Sequence, residues 1–156
     1  KDVGTLTSLW EANMDLLGSS PKFDLYDRKW RIFYRHHAYP PHRIGAAAHL
    51  ENSMVTEGCV IDGMVVNSVL SNDVHVEPGA VVRDSVIMSG VTIKAGARVS
   101  YAIIDSDTVI GENADLGDPR DGGQILVLAS GLSVPPDSVI RGGELVDTGN
   151  LKQFIG

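Results

Sequence analysis

Apolar residues come in pairs separated by turns over most of this chain, and the pairs repeat. Ser53-Met-Val-Thr-Glu-Gly-Cys-Val-Ile61 is echoed by Ser68-Val-Leu-Ser-Asn-Asp-Val-His-Val76. The same phrase returns as Ser85-Val-Ile-Met-Ser-Gly-Val-Thr-Ile93 and as Ala102-Ile-Ile-Asp-Ser-Asp-Thr-Val-Ile110. The starts at 53, 68, 85 and 102 are 15, 17 and 17 residues apart. Each block runs small, two apolar, three polar or glycine, then two or three residues ending apolar. The pieces Glu77-Pro-Gly-Ala80, Lys94-Ala-Gly-Ala97 and Gly111-Glu-Asn-Ala114 separate them. A short fixed period rich in β-branched residues marks a repeat architecture, and the three-four spacing of a helix is missing. The blocks therefore predict coils of short strands stacked into a parallel β-helix. A single coil cannot bury its own Val and Ile side chains, so each must stack on its neighbours.

Further features follow from that frame. Gly79, Gly96 and Gly111 are expected at corners, where positive φ or close backbone approach suits glycine. Ala80, Ala97 and Ala114 recur at one offset and are expected to point into a narrow corner. A fifth, degenerate block, Leu126 to Val134, should form another coil after a loop of residues 116–124 rich in Gly, Asp and Pro. Both ends of such a stack expose unpaired strand edges and need covers.

Ahead of the repeats the period changes. Apolar residues at 6, 9, 10, 14 and 17 predict a helix over 6–17, with Thr5 or Thr7 as N-cap and Ser8 with Glu11 as a second option. Gly18-Ser-Ser-Pro21 stops it. Residues 18–45 read as a connector that packs through its aromatics, Phe23, Tyr26, Trp30, Phe33, Tyr34 and Tyr39, and covers the first coil; Trp30 to Tyr34 is a candidate strand. Tyr39-Pro-Pro41 imposes an extended path. The β-helix with its tail takes residues 46–156, the coils running to about Ile140. Leu151, Phe154 and Ile155 in the tail are placed to cap the last coil or to reach a partner subunit.

At 156 residues the chain is one domain with attachments, and a net charge of −7 argues against a nucleic-acid footprint. A lone cysteine, Cys59, excludes an internal disulfide and reads as a small buried residue within a block. No apolar run approaches membrane-spanning length and no signal peptide opens the chain, so a cytoplasmic protein is expected. Lys1-Asp-Val-Gly-Thr5, without a starting Met, reads like the middle of something larger.

Asp2-Val-Gly-Thr5 and Leu9-Trp-Glu-Ala-Asn-Met-Asp-Leu16 resemble bacterial glucose-1-phosphate adenylyltransferase (ADP-glucose pyrophosphorylase). So do Leu25-Tyr-Asp-Arg28, Trp30, Tyr39-Pro-Pro41, Asn52-Ser53, Val69-Leu-Ser71 and Val109-Ile-Gly-Glu-Asn113, in the same order. The resemblance implies a mainly all-β chain: a left-handed parallel β-helix of hexapeptide-like repeats, preceded by one α-helix and an aromatic connector. It assigns residues 1–17 to the end of a nucleotidyltransferase domain, 18–45 to the connector and 46–156 to a regulatory and oligomerisation domain. The family's reaction is ATP plus glucose 1-phosphate giving ADP-glucose and pyrophosphate, towards glycogen, and its members are usually homotetramers under allosteric control. ATP and glucose 1-phosphate would bind through a domain absent from this chain, so the chain alone is expected to be inactive. Asp2 falls on the family's DVGT aspartate, whose implied role is a ligand of Mg²⁺; on residue chemistry alone it is an ordinary pre-helix Asp.

Arg83, Lys94, Arg98 and His75 are candidates for an anionic effector, since guanidinium and ammonium groups suit phosphates; the plainer reading is a solvated outer face. Relatives that answer to fructose bisphosphate carry arginines in segments that here read Ser71-Asn-Asp-Val-His75 and Ser100-Tyr101. The histidines, His36, His37, His42, His49 and His75, follow no zinc spacing. Gly122-Gly123 and Gly142-Gly143 read as turns and not as phosphate cradles. Rival readings are a hexapeptide-repeat acyltransferase with His75 as base, a purely structural β-helix, and a non-catalytic regulatory paralogue of the adenylyltransferase.

Overall fold

In the computed structural model, which describes residues 5–22 and 38–155, the repeated apolar pairs form strands of two or three residues. Strands this short are stable only in stacks; each block supplies a strand to two of three walls, and the stretch that follows it supplies the strand of the remaining wall. The first sheet stacks Arg43–Ile44, Val60–Ile61, His75–Val76, Thr92–Ile93, Val109–Ile110 and Ser133–Val134. The second stacks His49–Glu51, Met64–Val66, Val81–Arg83, Arg98–Ser100, Asp115–Gly117 and Val139–Ile140. The third stacks Met54–Val55, Val69–Leu70, Val86–Ile87, Ala102–Ile104, Leu126–Leu128 and Leu145–Val146. Every pairing is parallel and in register, coil upon coil, as in Thr92↔His75 and Thr92↔Val109. Parallel strands need long crossovers; here the other two walls of the coil are the crossover.

The interior is a set of apolar columns. Ile61, Val76, Ile93, Ile110 and Val134 line the first wall, Val65, Val82, Val99, Leu116 and Ile140 the second, and Leu70, Ile87, Ile104, Leu128 and Val146 the third, all within one buried cluster. Burying each Val, Leu or Ile is worth about 1.5–3 kcal/mol. Ala80, Ala97 and Ala114 are buried at one corner, as their recurrence predicts.

Three expectations need correction. Gly79 and Gly96 do take positive φ, 77° and 71°, but the third member of that corner is Asn113 (φ 56°). Gly111 sits two residues earlier, where its carbonyl accepts the N–H of Ala114 to close the turn and a Cβ would lie 2.5 Å from the nitrogen of Pro136, so of the two roles expected it serves the corner by close approach and not by positive φ. Leu116 is a buried wall residue of strand Asp115–Gly117 and not part of the following loop, which spans 118–125. The coils also begin earlier and end later than read: Arg43–Ile44 already pairs with Val60–Ile61, and Leu145–Val146 pairs with the strand Leu126–Leu128.

Helix α1 spans Leu6–Met14, with Thr5 as N-cap accepting the N–H of Ser8 at 3.1 Å. It stops short of Leu17, and Leu16 and Leu17 close a turn onto the carbonyls of Asn13 and Met14. Helix α2, Leu151–Phe154, lays Leu151 and Phe154 against the interior cluster. The aromatic connector lies mostly outside the described residues, including the candidate strand Trp30 to Tyr34. Within them, Tyr39 is half-buried and lies close to Gly58, while the N–H of Gly58 donates to the carbonyl of Pro40 at 2.7 Å.

Candidate functional site

The walls differ on their outer sides. The first and second carry polar and charged residues outward, among them Arg43, His75, Thr92, Arg83 and Arg98. The third carries Met54, Val69, Val86, Ile103, Val127 and Leu145, an apolar column on the outside of the coil. Helix α1 covers its middle. Trp10, the helix's one buried residue, packs with Val86, Ile103 and Val127, and Leu9, Met14, Met88, Tyr101 and Ile125 close round them. Its indole Nε1–H donates to the carbonyl of Asp84 at 2.7 Å. The ring of Tyr101 meets it edge-on at 5.0 Å and 78°, and the guanidinium of Arg120 lies 4.8 Å from its centroid. Such contacts add roughly 0.5–1.5 kcal/mol each beyond burial. Below the helix, Leu6, Thr7, Tyr101, Gln124, Ile125 and Leu145 border an open groove of about 440 Å³.

The sequence did not single out this seat. Its signal was present, however: Tyr101 precedes the fourth block at the position of Asn52, Asn67 and Asp84.

Of the residues that the sequence singled out, Asp2 lies outside the described residues, as do His36 and His37. Arg83 and Arg98 come together on the second wall. Arg83 pairs with Ser100 and Arg98 with Val81, so the two arginines are exposed diagonal neighbours on adjacent strands. Beyond Arg98 the register continues to Asp115, whose carboxylate is held by Arg141 at 3.2 Å. Lys94 stands half-buried at the corner that leads into this wall. His75 faces outward from the first wall, 3.4 Å from the carboxylate of Asp73, and does not share the arginines' face. Gly122 and Gly142-Gly143 lie in turns.

Cys59 is fully buried, its thiol donating to the carbonyl of Ser71 at 3.0 Å. Burial pushes its pKa above the ordinary value, which suits an inert packing residue. Among the described residues no three His, Cys, Asp or Glu side chains group as metal ligands, and no helix is long and apolar enough to cross a membrane.

Three parallel walls, short strands and the repeat of small and β-branched residues define a parallel β-helix of the hexapeptide type, left-handed as the family resemblance implies. A family model described as "GlmU-like, C-terminal hexapeptide" matches residues 41–134, and the chain belongs to that family. It is 39% identical over 146 residues to glucose-1-phosphate adenylyltransferase of Desulforamulus reducens, a match covering 90% of this chain and 37% of that protein. The enzymes of the same name from Bacillus mycoides and Bacillus cereus are 42% identical over 131 residues, covering 84% of this chain and 35% of theirs. The chain thus spans a little over a third of the length of these relatives.

Proposed function

We propose that this chain is the C-terminal region of a glucose-1-phosphate adenylyltransferase, which joins ATP and glucose 1-phosphate into ADP-glucose and pyrophosphate. The observation that carries this reading is the reach of the similarity. It covers 90% of the chain, more than the matched repeats at 41–134 and more than a generic hexapeptide protein has reason to share. In this reading α1 is the last helix of the catalytic domain, and the coils serve assembly, a homotetramer by family resemblance, and control. A lone carboxylate such as Asp2 is suitable donor chemistry for Mg²⁺, which takes one or two carboxylates plus phosphate oxygens. When bound, that ion offsets charge on the phosphates. Arg83 and Arg98, with Lys94 at the adjoining corner, are the residues assigned to an anionic effector, because two exposed guanidinium groups on one wall suit a phosphorylated ligand.

The test compares the chain with the longer protein that contains it. The longer protein should form ADP-glucose from ATP, glucose 1-phosphate and Mg²⁺, and the chain alone should release no pyrophosphate. Acyl transfer from a coenzyme A thioester by the longer protein would overturn the reading in favour of a hexapeptide acyltransferase. Absence of turnover, with altered effector response in a catalytic partner, would identify a regulatory paralogue.

A further inference from the structure

The corner before the third wall repeats one backbone conformation. Asn52, Asn67, Asp84 and Tyr101 all sit at positive φ, 43°, 47°, 48° and 47°. Asn and Asp tolerate that left-handed region because their short polar side chains bond locally. Here they also bond to each other across coils: the amide of Asn52 donates to Oδ1 of Asn67 at 2.9 Å, and the amide of Asn67 donates to the carboxylate of Asp84. A bulky aromatic in the same conformation is an outlier, and such outliers persist where the surroundings over-determine them. Tyr101 gives up the side-chain ladder, and its ring becomes a wall of the seat for Trp10. The carbonyl that receives the indole N–H belongs to Asp84, the residue one coil above in the same corner. Helix α1 has nine residues, no acidic side chain in its first turn, no basic one in its last, and one buried residue. A helix so short is marginal alone and takes its stability from packing.

We propose that Tyr101 is a strained latch. The fourth coil's corner holds a conformation unfavourable for an aromatic because the ring seats Trp10, so release of α1 and relaxation of the corner favour one another. Helix α1 is then a segment that folds only when docked. Arg120, carried by the 118–125 loop, closes over the indole, so movement of that loop is passed to the helix. The inference concerns this chain alone and does not depend on the reaction proposed above.

The experiment uses the whole chain with Trp30→Phe, leaving Trp10 as its single indole. Tyr101→Asn should leave the midpoint of solenoid unfolding unchanged or raise it, since Asn suits the corner. In the same variant Trp10 emission should shift to the red, and amide exchange over Leu6–Met14 should quicken roughly fivefold. Tyr101→Gly, which accepts positive φ without a ring, should loosen α1 in the same way. Arg120→Ala should loosen α1 without raising the midpoint. The latch is overturned if Tyr101→Asn leaves emission and exchange unchanged, if its midpoint falls together with helix protection, or if it fails to fold at a corner that should prefer it.

Discussion

The hydroxyl of Ser68 joins two coils: it donates to the carbonyl of Val66 at 2.8 Å and accepts the backbone N–H of Ser85 at 3.1 Å. Ser53 does the same for Ser68 one coil above, and Ser85 for Ala102 one coil below. The spine ends at Ala102, where the 118–125 loop sets the next coil apart and the N–H of Leu126 donates to the carbonyl of Tyr101 instead. Ser68 and Ser85 are fully buried, so no water can replace a lost partner. Ser68→Ala should therefore cost about 1–3 kcal/mol, the desolvation of an unpaired N–H. Ser53→Ala, at a half-buried position, should cost less. Urea unfolding of the two variants checks the order; equal and negligible losses would show that the spine is incidental.

Ile93 stands between Val76 and Ile110 in the first wall's column and is fully buried. An aspartate there has no partner within reach of the apolar interior, and the expected loss is upward of about 4 kcal/mol, enough to abolish the fold. Ile93→Val removes one methyl and should cost only about 0.5–1.5 kcal/mol. Ile44 heads the same column at its open end and is 43% exposed, so Ile44→Asp should remain folded. Circular dichroism and soluble yield of the three variants test the inward assignment; a soluble, folded Ile93→Asp protein would refute it.

The coils were readable because stacking forces each turn to present like residues to the same wall. The offset from Ser68 to Ser85 in sequence is the pairing of Val69 with Val86 in space. What covers a wall is not subject to that repetition. Val69-Leu70, Val86-Ile87 and Ile103-Ile104 are apolar on both faces, a sign that both are buried, but nothing within a block says that Trp10, 74 residues from its acceptor Asp84, does the covering. The loop boundary was missed for a related reason: Leu116 stands alone between Asp115 and Gly117, and only its pairing with Val99 and Ile140 reveals a wall residue. The arginines were visible singly, but their shared wall was not. Positions 83 and 98 differ by 15, not by the 17 that stacks residues directly, so they meet on the diagonal.

Cys59 heads a corner column continued by Val74, Val91, Thr108 and Leu132. Its folded pKa is raised by burial, so the folded state keeps the thiol proton that the unfolded chain releases. The sign follows: stability from this group is full below the ordinary thiol pKa of about 8.5 and falls as pH rises from there towards the folded value. Cys59→Val, which copies the residue below it, should therefore lose less stability than the parent between pH 7 and 10. Paired urea titrations measure the difference. Alkylation by iodoacetamide at pH 7 should also be slow until denaturant is added, and fast reaction of the folded chain would contradict the buried assignment.

The last coil has neighbours on one side only, through Ser133–Val134, Val139–Ile140 and Leu145–Val146. Unpaired edges of this kind invite pairing with another chain. Helix α2 is held over this end by a clasp: Oδ1 of Asp147 accepts the N–H groups of Gly149 and Asn150 at 2.8 and 3.0 Å. In return Oδ1 of Asn150 accepts the N–H of Asp147 at 2.8 Å, and its amide donates to the carbonyl of Leu145 at 2.9 Å. The clasp aims Leu151 and Phe154 at the interior cluster. Phe154→Asp should lift the cover and expose Val134, Ile140 and Val146. This last coil should then lose protection first in hydrogen exchange, before the central strands between Val60 and Ile104, because a solenoid unravels from its weakest end. Light scattering should show concentration-dependent growth beyond the parent's mass. Asn150→Ala should reproduce the early exchange in milder form, by about 1 kcal/mol for the lost hydrogen bonds. A Phe154→Asp chain with the parent's mass and protection would mean that the end of the stack is sealed by its own turns, without α2.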